Sequence, residues 1–408
     1  MRPRFSISAR VRPLFLSLLT SVACSEAWAS DQDMQRLAST NASFGFNLMK
    51  QVVGERPNDN VFISPHSVSA ALQMVWQGAA GETKTEMDQA LALSNFKPEA
   101  AGAAYKELDA SIKSAAAKIA LNVANSIWYA PNIELKPQFR SLNQNFYGAK
   151  LSALDFTDPR SAGVVNSWVS EATRGKISKI VEPPLSSRTG LILVNAIYFK
   201  GNWEHTFDNK LTKDEPFHLR DGGQKQTRMM RQTRKFDYTE CTAFQAIRLP
   251  YVGERLAMLV FLPGTNSSPN ILLRGLTGNH WQGDILPLFQ QREGTIVLPR
   301  FKLEFKADLV GSLKGVGIHR AFSSAANFSG IANTGLYISG VDHASFVEVN
   351  EEGTEAAAAT QVTVALTSAV PRARPFQMIV DRPFFFAIED TVTHSILFMG
   401  LINDPASQ

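Results

Sequence analysis

The side chains best suited to acid–base or metal chemistry are spread along this 408-residue chain and are not grouped at reactive spacings. None of the seven histidines has a second ligand at the spacing of a metal site. Ser64, His343 and an aspartate could form a hydrolytic triad on paper, but no nucleophile motif such as G-x-S-x-G accompanies them. H-E-x-x-H, G-x-x-x-x-G-K-[ST] and C-x-x-C are also absent. We therefore expect a protein that is not an enzyme and has no metal or cofactor.

A charged turn followed by small residues, at 351–366, is the most unusual stretch of the chain. Glu351 and Glu352 precede Gly353, which can take backbone angles closed to other residues and can act as a pivot. The following T-E-A-A-A-A-T-Q-V-T-V-A-L alternates between a set that becomes apolar and a set that stays polar or very small. Alanine alone favours a helix, whereas the β-branched residues from Thr360 onward favour a strand. Small side chains would let this segment slide between existing strands without steric clash.

Insertion of such a segment into a sheet would release free energy. Burial of Val362, Val364 and Leu366 is worth roughly 1.5–3 kcal/mol each, and each new ladder hydrogen bond adds about 1 kcal/mol. The total is on the order of tens of kcal/mol before entropy, compared with the ~5–15 kcal/mol that stabilises a typical domain. Insertion of the stretch could therefore release enough free energy to do mechanical work on a partner.

The elements that would position this stretch are helices in the first half of the chain and mainly strands in the second. Ser64 is a suitable N-cap, Pro65 suits the first helical turn, and Gly78 is a stop signal. The apolar run Leu191–Phe199, interrupted by Asn195, predicts a buried strand. Because no repeat or linker divides the chain, we predict one α+β domain with antiparallel sheets. Further helices are predicted over 83–93, 99–117 and 166–173, and further strands over 244–250, 256–262, 383–388 and 396–402.

The first 29 residues predict a signal peptide and not a part of the fold. Four arginines precede an apolar run from Leu14 to Ala23, and Ala27-Trp28-Ala29 is a small-x-small cleavage pattern. The run is too short for a membrane anchor, so no membrane span is expected. Because the segment holds four arginines and one glutamate, its removal lowers the formal net charge from +4 to +1. This near balance gives no indication of nucleic-acid binding.

The leader and the cysteine content predict an exported protein, either periplasmic or extracellular. Lipoprotein anchoring through Cys24 is an alternative, although Ser21 stands where a lipobox prefers an aliphatic residue. After cleavage only Cys241 remains, so no intramolecular disulfide can form. The residues around Cys241 show no nucleophile signature, and we expect a semi-buried structural thiol.

Five stretches, in order along the chain, have the character of family motifs. They are N-V-F-I-S-P-H-S (60–67), G-A-A-G-E-T (78–83), N-S-W-V (166–169) with T-R-G-K-I (173–177), L-V-N-A-I-Y-F-K-G-N-W (193–203), and D-R-P-F-F-F (381–386) with F-M-G (398–400). Together they resemble signatures of the serpin family of serine protease inhibitors. The resemblance implies a single serpin domain over 30–408, with three mainly antiparallel β-sheets, about nine helices and an exposed reactive-centre loop at about 351–380. The leader and the lack of disulfides suit a bacterial, exported member.

The resemblance also implies a suicide mechanism of inhibition, directed at serine-type endopeptidases and secondarily at cysteine-type ones. A target protease cleaves the loop and is held as an acyl-enzyme while the freed segment inserts into the family's sheet A. The hinge matches the inhibitory pattern, and a non-inhibitory serpin that binds or carries a ligand is the alternative. The residues that correspond to the hinge are Glu351, Gly353, Thr354, Glu355, Ala356, Ala357, Ala358, Ala359 and Thr360.

Five further positions match the regions where sheet A opens, which the family calls the shutter and the breach. Ser64, Ser67, Asn195 and His343 match the polar cluster of the shutter, and Trp203 matches the region where insertion begins. A buried asparagine must be hydrogen-bonded, so we expect His343 to be the partner of Asn195.

The family places the scissile residue seventeenth from the first hinge residue, at Thr367, followed by Ser368. A shift by one gives Leu366–Thr367, and either bond would suit an elastase-, subtilisin- or chymotrypsin-like protease. Arg372 and Arg374 would suit a trypsin-like protease, but they lie five and seven residues further on and are flanked by prolines. The expected partner is thus a target protease, and the expected state is a monomer.

Overall fold

The computed structural model describes residues 31–116, 119–353 and 374–406 of the chain. The predicted signal peptide and most of the predicted reactive-centre loop, residues 354–373, lie outside the described residues. Within them, helices dominate the first half of the chain and strands the second, as the residue patterns predict.

Nine α-helices are present in the described ranges. Four of them (α2, α4, α5 and α7) begin with a proline, whose fixed backbone angle and missing N–H suit the first helical turn. Their bounds are α1 (Asp31–Glu55), α2 (Pro65–Trp76), α3 (Gly81–Ala90), α4 (Pro98–Ala115), α5 (Pro137–Tyr147), α6 (Ser161–Ala172), α7 (Pro269–Gly275), α8 (Gly278–His280) and α9 (Val310–Gly315).

Fourteen strands in the same ranges form two hydrogen-bonded sheets. Their bounds are β1 (Val61–Ile63), β2 (Ala120–Tyr129), β3 (Lys150–Ala153), β4 (Leu191–Lys200), β5 (Lys213–His218), β6 (Gln224–Glu240), β7 (Phe244–Pro250), β8 (Leu256–Pro263), β9 (Gln290–Pro299), β10 (Phe301–Asp308), β11 (Ile338–Val349), β12 (Phe376–Ile379), β13 (Phe384–Asp390) and β14 (Ile396–Ile402).

The five-stranded sheet has the order β10-β11-β4-β2-β3. β11 pairs with β4, and β2 with β3, in parallel, whereas the other neighbours are antiparallel. Nine of the ten residues of the central strand β4 are buried, because α6 covers one face of the sheet and α2 lies against the other. Burial on both faces explains why β4 reads as a continuous apolar run and not as an alternating one.

The nine-stranded sheet has the order β1-β14-β13-β8-β7-β6-β9-β12, with β5 attached to β6. The long strand β6 pairs with β5 near its start and with β7 over its last four residues, while β9 pairs along its middle. β6 therefore joins into one hydrogen-bonded network the second and third sheets that the resemblance implied. The predicted α+β architecture, with one sheet separate from these two, is confirmed.

The predicted elements are present, with shifted ends. α6 begins at Ser161, five residues before the predicted start at Asn166. The earlier start follows a turn in which the Ser161 hydroxyl donates to the Asp155 carbonyl oxygen at 2.6 Å. The predicted pairs of strands at 244–262 and 383–402 are β7–β8 and β13–β14, both antiparallel.

The prediction for Cys241 was wrong. Its thiol is free and exposed, because it lies at the short turn between β6 and β7 and not within either strand. No helix in the described part of the chain combines the length and the apolar character that a membrane crossing requires.

Candidate functional site

The parallel pair β4–β11 is the centre of the five-stranded sheet, and we call the line between these strands the β4–β11 seam. Eight residue pairs define it, from Ile338 opposite Leu191 to Phe346 opposite Tyr198. Each strand has an antiparallel neighbour on its other side, β2 beside β4 and β10 beside β11. A new antiparallel strand placed in the seam would replace one parallel ladder by two antiparallel ladders, which are slightly more stable per residue.

A row of polar side chains crosses the seam at mid-height. Asn125, Asn195 and His343 stand directly opposite one another on β2, β4 and β11. The Asn195 Nδ2 group donates to Asn125 Oδ1 at 2.6 Å, and His343 Nδ1 lies 2.6 Å from Asn195 Oδ1. All three side chains are buried, so these hydrogen bonds replace water that the side chains have lost.

The partners of His343 define its protonation state. The backbone N–H of Ser64 can only donate, and it lies 3.3 Å from His343 Nε2, so Nε2 must be the unprotonated nitrogen. Nδ1 then carries the proton and donates to the side-chain oxygen Oδ1 of Asn195. Burial lowers the pKa of His343 to about 3, so the ring is neutral across the physiological range.

The N-terminus of α2 lies beneath this row and is bonded to it. Ser64 caps α2 by accepting from the Ser67 N–H at 3.2 Å, and its hydroxyl donates to the Leu397 carbonyl oxygen at 2.6 Å. The Ser67 hydroxyl oxygen accepts from Asn195 Nδ2. The structure therefore brings the four predicted shutter residues together, and it connects them to β14.

Asn125 belongs to the same row but was missed by sequence reasoning. Its side chain is 7% exposed and bonds directly to Asn195. The available signal was a polar residue inside the strand-like segment A-L-N-V-A-N-S-I-W-Y, which resembles the interruption of β4 by Asn195. Ser345, one alternation after His343 on β11, also points to this side and donates to the Phe62 carbonyl oxygen at 2.6 Å.

Glu351, the first predicted hinge residue, is anchored at the end of β11. Its carboxylate accepts hydrogen bonds from Arg300 Nε at 2.8 Å and from the Thr212 hydroxyl at 2.5 Å, and the residue is 2% exposed. Burial alone would raise the pKa of Glu351, but the bonds from Arg300 and Thr212 hold it below its ordinary value. Sequence reasoning missed both partners, since each is more than 50 residues away.

A tight turn connects β11 to the start of the hinge. Asn350 and Gly353 form an isolated antiparallel bridge, with both N–H···O distances at 3.2 Å. Gly353 has φ +99°, and a Cβ there would overlap the Gly201 carbonyl oxygen and lie 2.5 Å from the Trp203 nitrogen. Only glycine fits this backbone shape and this close approach. The turn therefore presses against the segment that follows β4.

Trp203, the predicted breach residue, holds this turn in place. Its indole N–H donates to the Asn350 carbonyl oxygen at 2.9 Å, and its backbone N–H donates to the Glu352 carbonyl oxygen at 3.0 Å. The indole stacks on Tyr251 with ring centroids 4.6 Å apart. The carboxyl ends of β11 and β4 thus meet at the turn, which lies at one end of the seam.

Of the remaining predicted site residues, Arg374 is the one that lies within the described ranges. Arg374 is exposed, two residues before β12 at the edge of the nine-stranded sheet. No group of three or more potential metal ligands occurs in the described ranges. The predicted residues outside the described ranges are Thr354, Glu355, Ala356, Ala357, Ala358, Ala359, Thr360, Leu366, Thr367, Ser368 and Arg372.

A family comparison agrees with this architecture. The family model described as "Serpin (serine protease inhibitor)" matches residues 39–405. The chain belongs to the serpin family. Most of the chain is covered by this match, so the family membership implied by the five sequence stretches has independent support.

Several curated serpins are similar to this chain over nearly its whole length. Iripin-2 of Ixodes ricinus is 37% identical, with 95% of this chain and 97% of the relative covered. The leukocyte elastase inhibitor of Sus scrofa is 35% identical over 91% of this chain and all of the relative. A serpin-like protein of Thermococcus kodakarensis, at 37% identity, covers 89% of this chain and 84% of its own length.

Solved serpin structures match the fold. Native protease nexin-1 with heparin superposes with a TM-score of 0.82 at 30% identity, covering 91% of this chain and 100% of that chain. The thermophilic serpin tengpin in its native state gives a TM-score of 0.81 at 28% identity, with 90% and 94% covered. Human thyroxine-binding globulin, solved with its hormone, gives 0.83 at 26% identity, with 92% and 100% covered. The matched folds therefore include one protein named for the ligand that it binds.

Proposed function

We propose that this serpin inhibits a serine-type endopeptidase, and secondarily a cysteine-type one, by loop cleavage and insertion of the cleaved loop into the β4–β11 seam. One observation carries the proposal. The Asn350–Gly353 turn reverses the chain direction after β11, next to the residues that follow β4, so the hinge that follows starts at the end of the seam. A relative named leukocyte elastase inhibitor, 35% identical over 91% of this chain, supports a serine-type endopeptidase as the target.

The turn defines a register for insertion. In an antiparallel pair each step forward along one strand from the Asn350–Gly353 bridge is one step back along the other. Continuation of this register places Thr360, seven residues after Gly353, opposite His343, seven residues before Asn350. Ala358 would then stand opposite Ser345, and Ala356 opposite Val347. Directly opposed residues share a face of the sheet, so these three would point toward α2.

This register explains the composition of the hinge. The face toward α2 holds buried groups such as His343, Ser345 and Val347, so an incoming side chain there must be small. The alternate set, which includes Glu355 and Ala357, would point to the other face. A glutamate is accepted at 355 because its partner, Glu348, is itself only partly buried at the upper end of β11. The alanine tract thus meets a steric requirement of the seam.

The chemistry of the proposed reaction belongs to the protease. Its serine or cysteine attacks the scissile carbonyl of the loop, the peptide bond breaks, and an ester or thioester joins the two proteins. Insertion then draws the linked protease away from the loop's original position before water can complete hydrolysis. This serpin contributes the cleavable loop, the anchored turn and the seam.

For the scissile bond we propose Thr367–Ser368, with Leu366–Thr367 as the alternative and cleavage after Arg372 or Arg374 as the trypsin-like option. The test mixes the mature protein separately with elastase, chymotrypsin, subtilisin and trypsin. An SDS-stable complex is expected with at least one of the first three, and the mass of the released C-terminal peptide identifies the bond. Cleavage without a complex for every protease would favour a carrier serpin instead.

A matched pair of variants tests the insertion register. Ala358→Arg places a long charged side chain beside buried Ser345 on the face toward α2, whereas Glu355→Arg places the same side chain on the opposite face beside the partly buried Glu348. We expect Ala358→Arg to be cleaved as an ordinary substrate with no SDS-stable complex, and Glu355→Arg to retain most of its complex. Equal behaviour of the two variants would contradict the register.

We also propose that residues 1–29 direct export and are removed, leaving a monomer that begins at Ser30. N-terminal sequencing of the protein recovered from periplasm and medium tests this. A mature N-terminus at Cys24 carrying lipid would instead establish the lipoprotein alternative, and light scattering of the purified protein would reveal any oligomer.

A further inference from the structure

Asp342 lies beside the β4–β11 seam and has no part in the proposed inhibition. On β11 it stands opposite Val194 of β4 on one side and opposite Asp308 of β10 on the other. Residues directly opposed on antiparallel strands point to the same face, with Cβ atoms about 4.5–5.5 Å apart. Two carboxyl groups are therefore neighbours next to the line along which the sheet must open.

Asp308 is held as a hydrogen-bond acceptor. One of its carboxylate oxygens accepts from the Val310 N–H at 3.1 Å, at the start of α9, and from the Val341 N–H at 3.3 Å. Asp308 thus presents negative charge to Asp342 from a position fixed by the backbone.

No cation among the described residues lowers the pKa of Asp342. The neighbours of Asp342 are the apolar Val194 on β4 and the small residues Gly340 and Ala344 on its own face of β11. Lys306, the nearest cation along β10, pairs with Glu304 at 2.8 Å. Burial, and then the field of Asp308, raise the pKa of Asp342 to about 7.

We propose that Asp342 makes the opening of the β4–β11 seam depend on pH, because its protonated form in acid holds the seam more tightly than its ionised form does at neutral pH. The functional consequence rests on the proposed inhibition, because that mechanism requires the seam to open. The opening itself is a property of the intact protein and does not depend on any protease.

The direction of the effect follows from proton linkage. When β11 parts from β4, Asp342 gains water and its pKa moves toward the ordinary value of about 3.9. Between about pH 4 and pH 7 the open state has released a proton that the closed state keeps, so a rise in pH favours opening. The contribution of Asp342 to the opening constant should increase by at most about tenfold per pH unit in this window and level off above pH 7.

Hydrogen exchange of the intact protein measures this opening. Opening also hydrates the buried His343, whose pKa would rise from about 3 toward its ordinary value, so His343 takes up a proton in acid and opposes the effect of Asp342. Exchange rates of the β4 and β11 amides, corrected for intrinsic exchange, are therefore compared between pH 5 and pH 8 in the His343→Gln background, with and without Asp342→Asn. The asparagine keeps the shape, cannot ionise and offers Asp308 an amide donor. We expect opening of the His343→Gln protein to increase at least threefold from pH 5 to pH 8, and opening of the double variant to stay flat and near the value of the single variant at pH 5.

Two controls show whether the pH dependence of seam opening comes from Asp342. Glu389, buried on β13 beside Arg248, also has a pKa raised to about 7 by burial, so Glu389→Gln removes the other raised carboxyl of the described chain. Glu389→Gln should leave the pH dependence at the seam unchanged. Amides of β13 and β14, which do not border the seam, report global unfolding. Equal pH dependence of the His343→Gln protein with and without Asp342→Asn would overturn the proposal.

A second measurement separates this proposal from the proposed function. With one protease, the ratio of SDS-stable complex to cleaved serpin is measured at pH 6 and pH 8 for wild type and Asp342→Asn. From pH 6 to pH 8 this ratio should rise more for wild type than for Asp342→Asn. Because both proteins react with the same protease, the pH dependence of the protease itself cancels in this comparison. Absence of complex at any pH would refute the inhibitory function and leave the exchange result to decide the role of Asp342.

Discussion

At the scale of single residues, Asn195 bonds groups from a helix and two neighbouring strands through one amide. Its partners include Asn125, Ser67 and His343, all buried. Asn195→Ala would leave these groups without partners, at about 1–3 kcal/mol for each unsatisfied group, so we expect a loss of about 3 kcal/mol or more. Urea denaturation measures it. Asn145→Ala, exposed on α5 and bonded only to Ser141 nearby, should stay within about 0.5 kcal/mol.

Burial of His343 should make the native protein less stable in acid. Its pKa of about 3 lies below the ordinary value of about 6.5, so between these limits the unfolded chain binds a proton that the native protein does not. Native stability should therefore fall as pH drops through this window, by at most about 1.4 kcal/mol per pH unit.

The neighbouring Asp342 acts in the opposite direction over part of that window, so the test uses the Asp342→Asn background. Stability is measured from pH 7 to pH 4 with and without His343→Gln, which is neutral throughout. We expect a shallower acid slope when glutamine replaces His343. An unchanged slope would mean that His343 titrates as an ordinary exposed histidine.

At the scale of elements, the turn between β11 and the hinge depends on one glycine. Gly353 and Gly222 both have positive φ, +99° and +87°, but only Gly353 is crowded, since nothing lies within 4 Å of a Cβ at Gly222. Gly222→Ala should cost about 1 kcal/mol from backbone strain alone. Gly353→Ala should cost more and reduce SDS-stable complex severalfold, because the turn must shift away from Trp203. Thermal unfolding and the gel assay measure the two effects, and equal losses would refute the close approach.

The same turn is joined to β10 through an ion pair. Glu351 receives two hydrogen bonds from side chains of other elements, Arg300 before β10 and Thr212 before β5. Glu351→Gln weakens both, and we expect a loss of about 1–3 kcal/mol at neutral pH. Because the pKa of Glu351 is lowered, this contribution is present above the ordinary pKa and is lost as pH falls below it.

A control for this pair lies on β10 itself. Glu304 and Lys306 form a partly exposed ion pair at 2.8 Å, and Glu304→Gln should cost less than about 1 kcal/mol. Urea denaturation at pH 7 compares the two variants. If Glu351→Gln costs no more than Glu304→Gln, the buried anchor contributes nothing beyond a surface pair.

Features that depend on neighbouring residues could be predicted from the sequence, and features that depend on strand register could not. The Ser64–Pro65 start of α2 and the buried strand around Asn195 follow from local capping and hydrophobic pattern. Asn125 and Arg300 reach the site only because non-adjacent strands align in a particular register. The exposed position of Cys241 follows from the length of a turn that the sequence does not define.

At the scale of the whole molecule, the chain should be more stable after cleavage of its loop than before. In the intact protein β4 and β11 share a parallel ladder, and the cleaved segment would add an antiparallel ladder to each. We expect the Tm to rise by about 10 °C or more after cleavage, which corresponds to on the order of 10 kcal/mol at ~1–2 °C per kcal/mol for a domain of this size. Calorimetry before and after limited proteolysis measures the rise.

Variants of the hinge decide whether insertion causes that rise. Cleavage breaks the same peptide bond in wild type, Glu355→Arg and Ala358→Arg, so relief of loop strain alone would stabilise all three equally. Insertion in the register of the Asn350–Gly353 bridge stabilises only the first two, because the long side chain introduced by Ala358→Arg would meet the buried face around Ser345. A rise in Tm confined to wild type and Glu355→Arg would therefore show that the stabilisation comes from the new ladder. It would also show that the native fold stores the work needed to displace a bound protease.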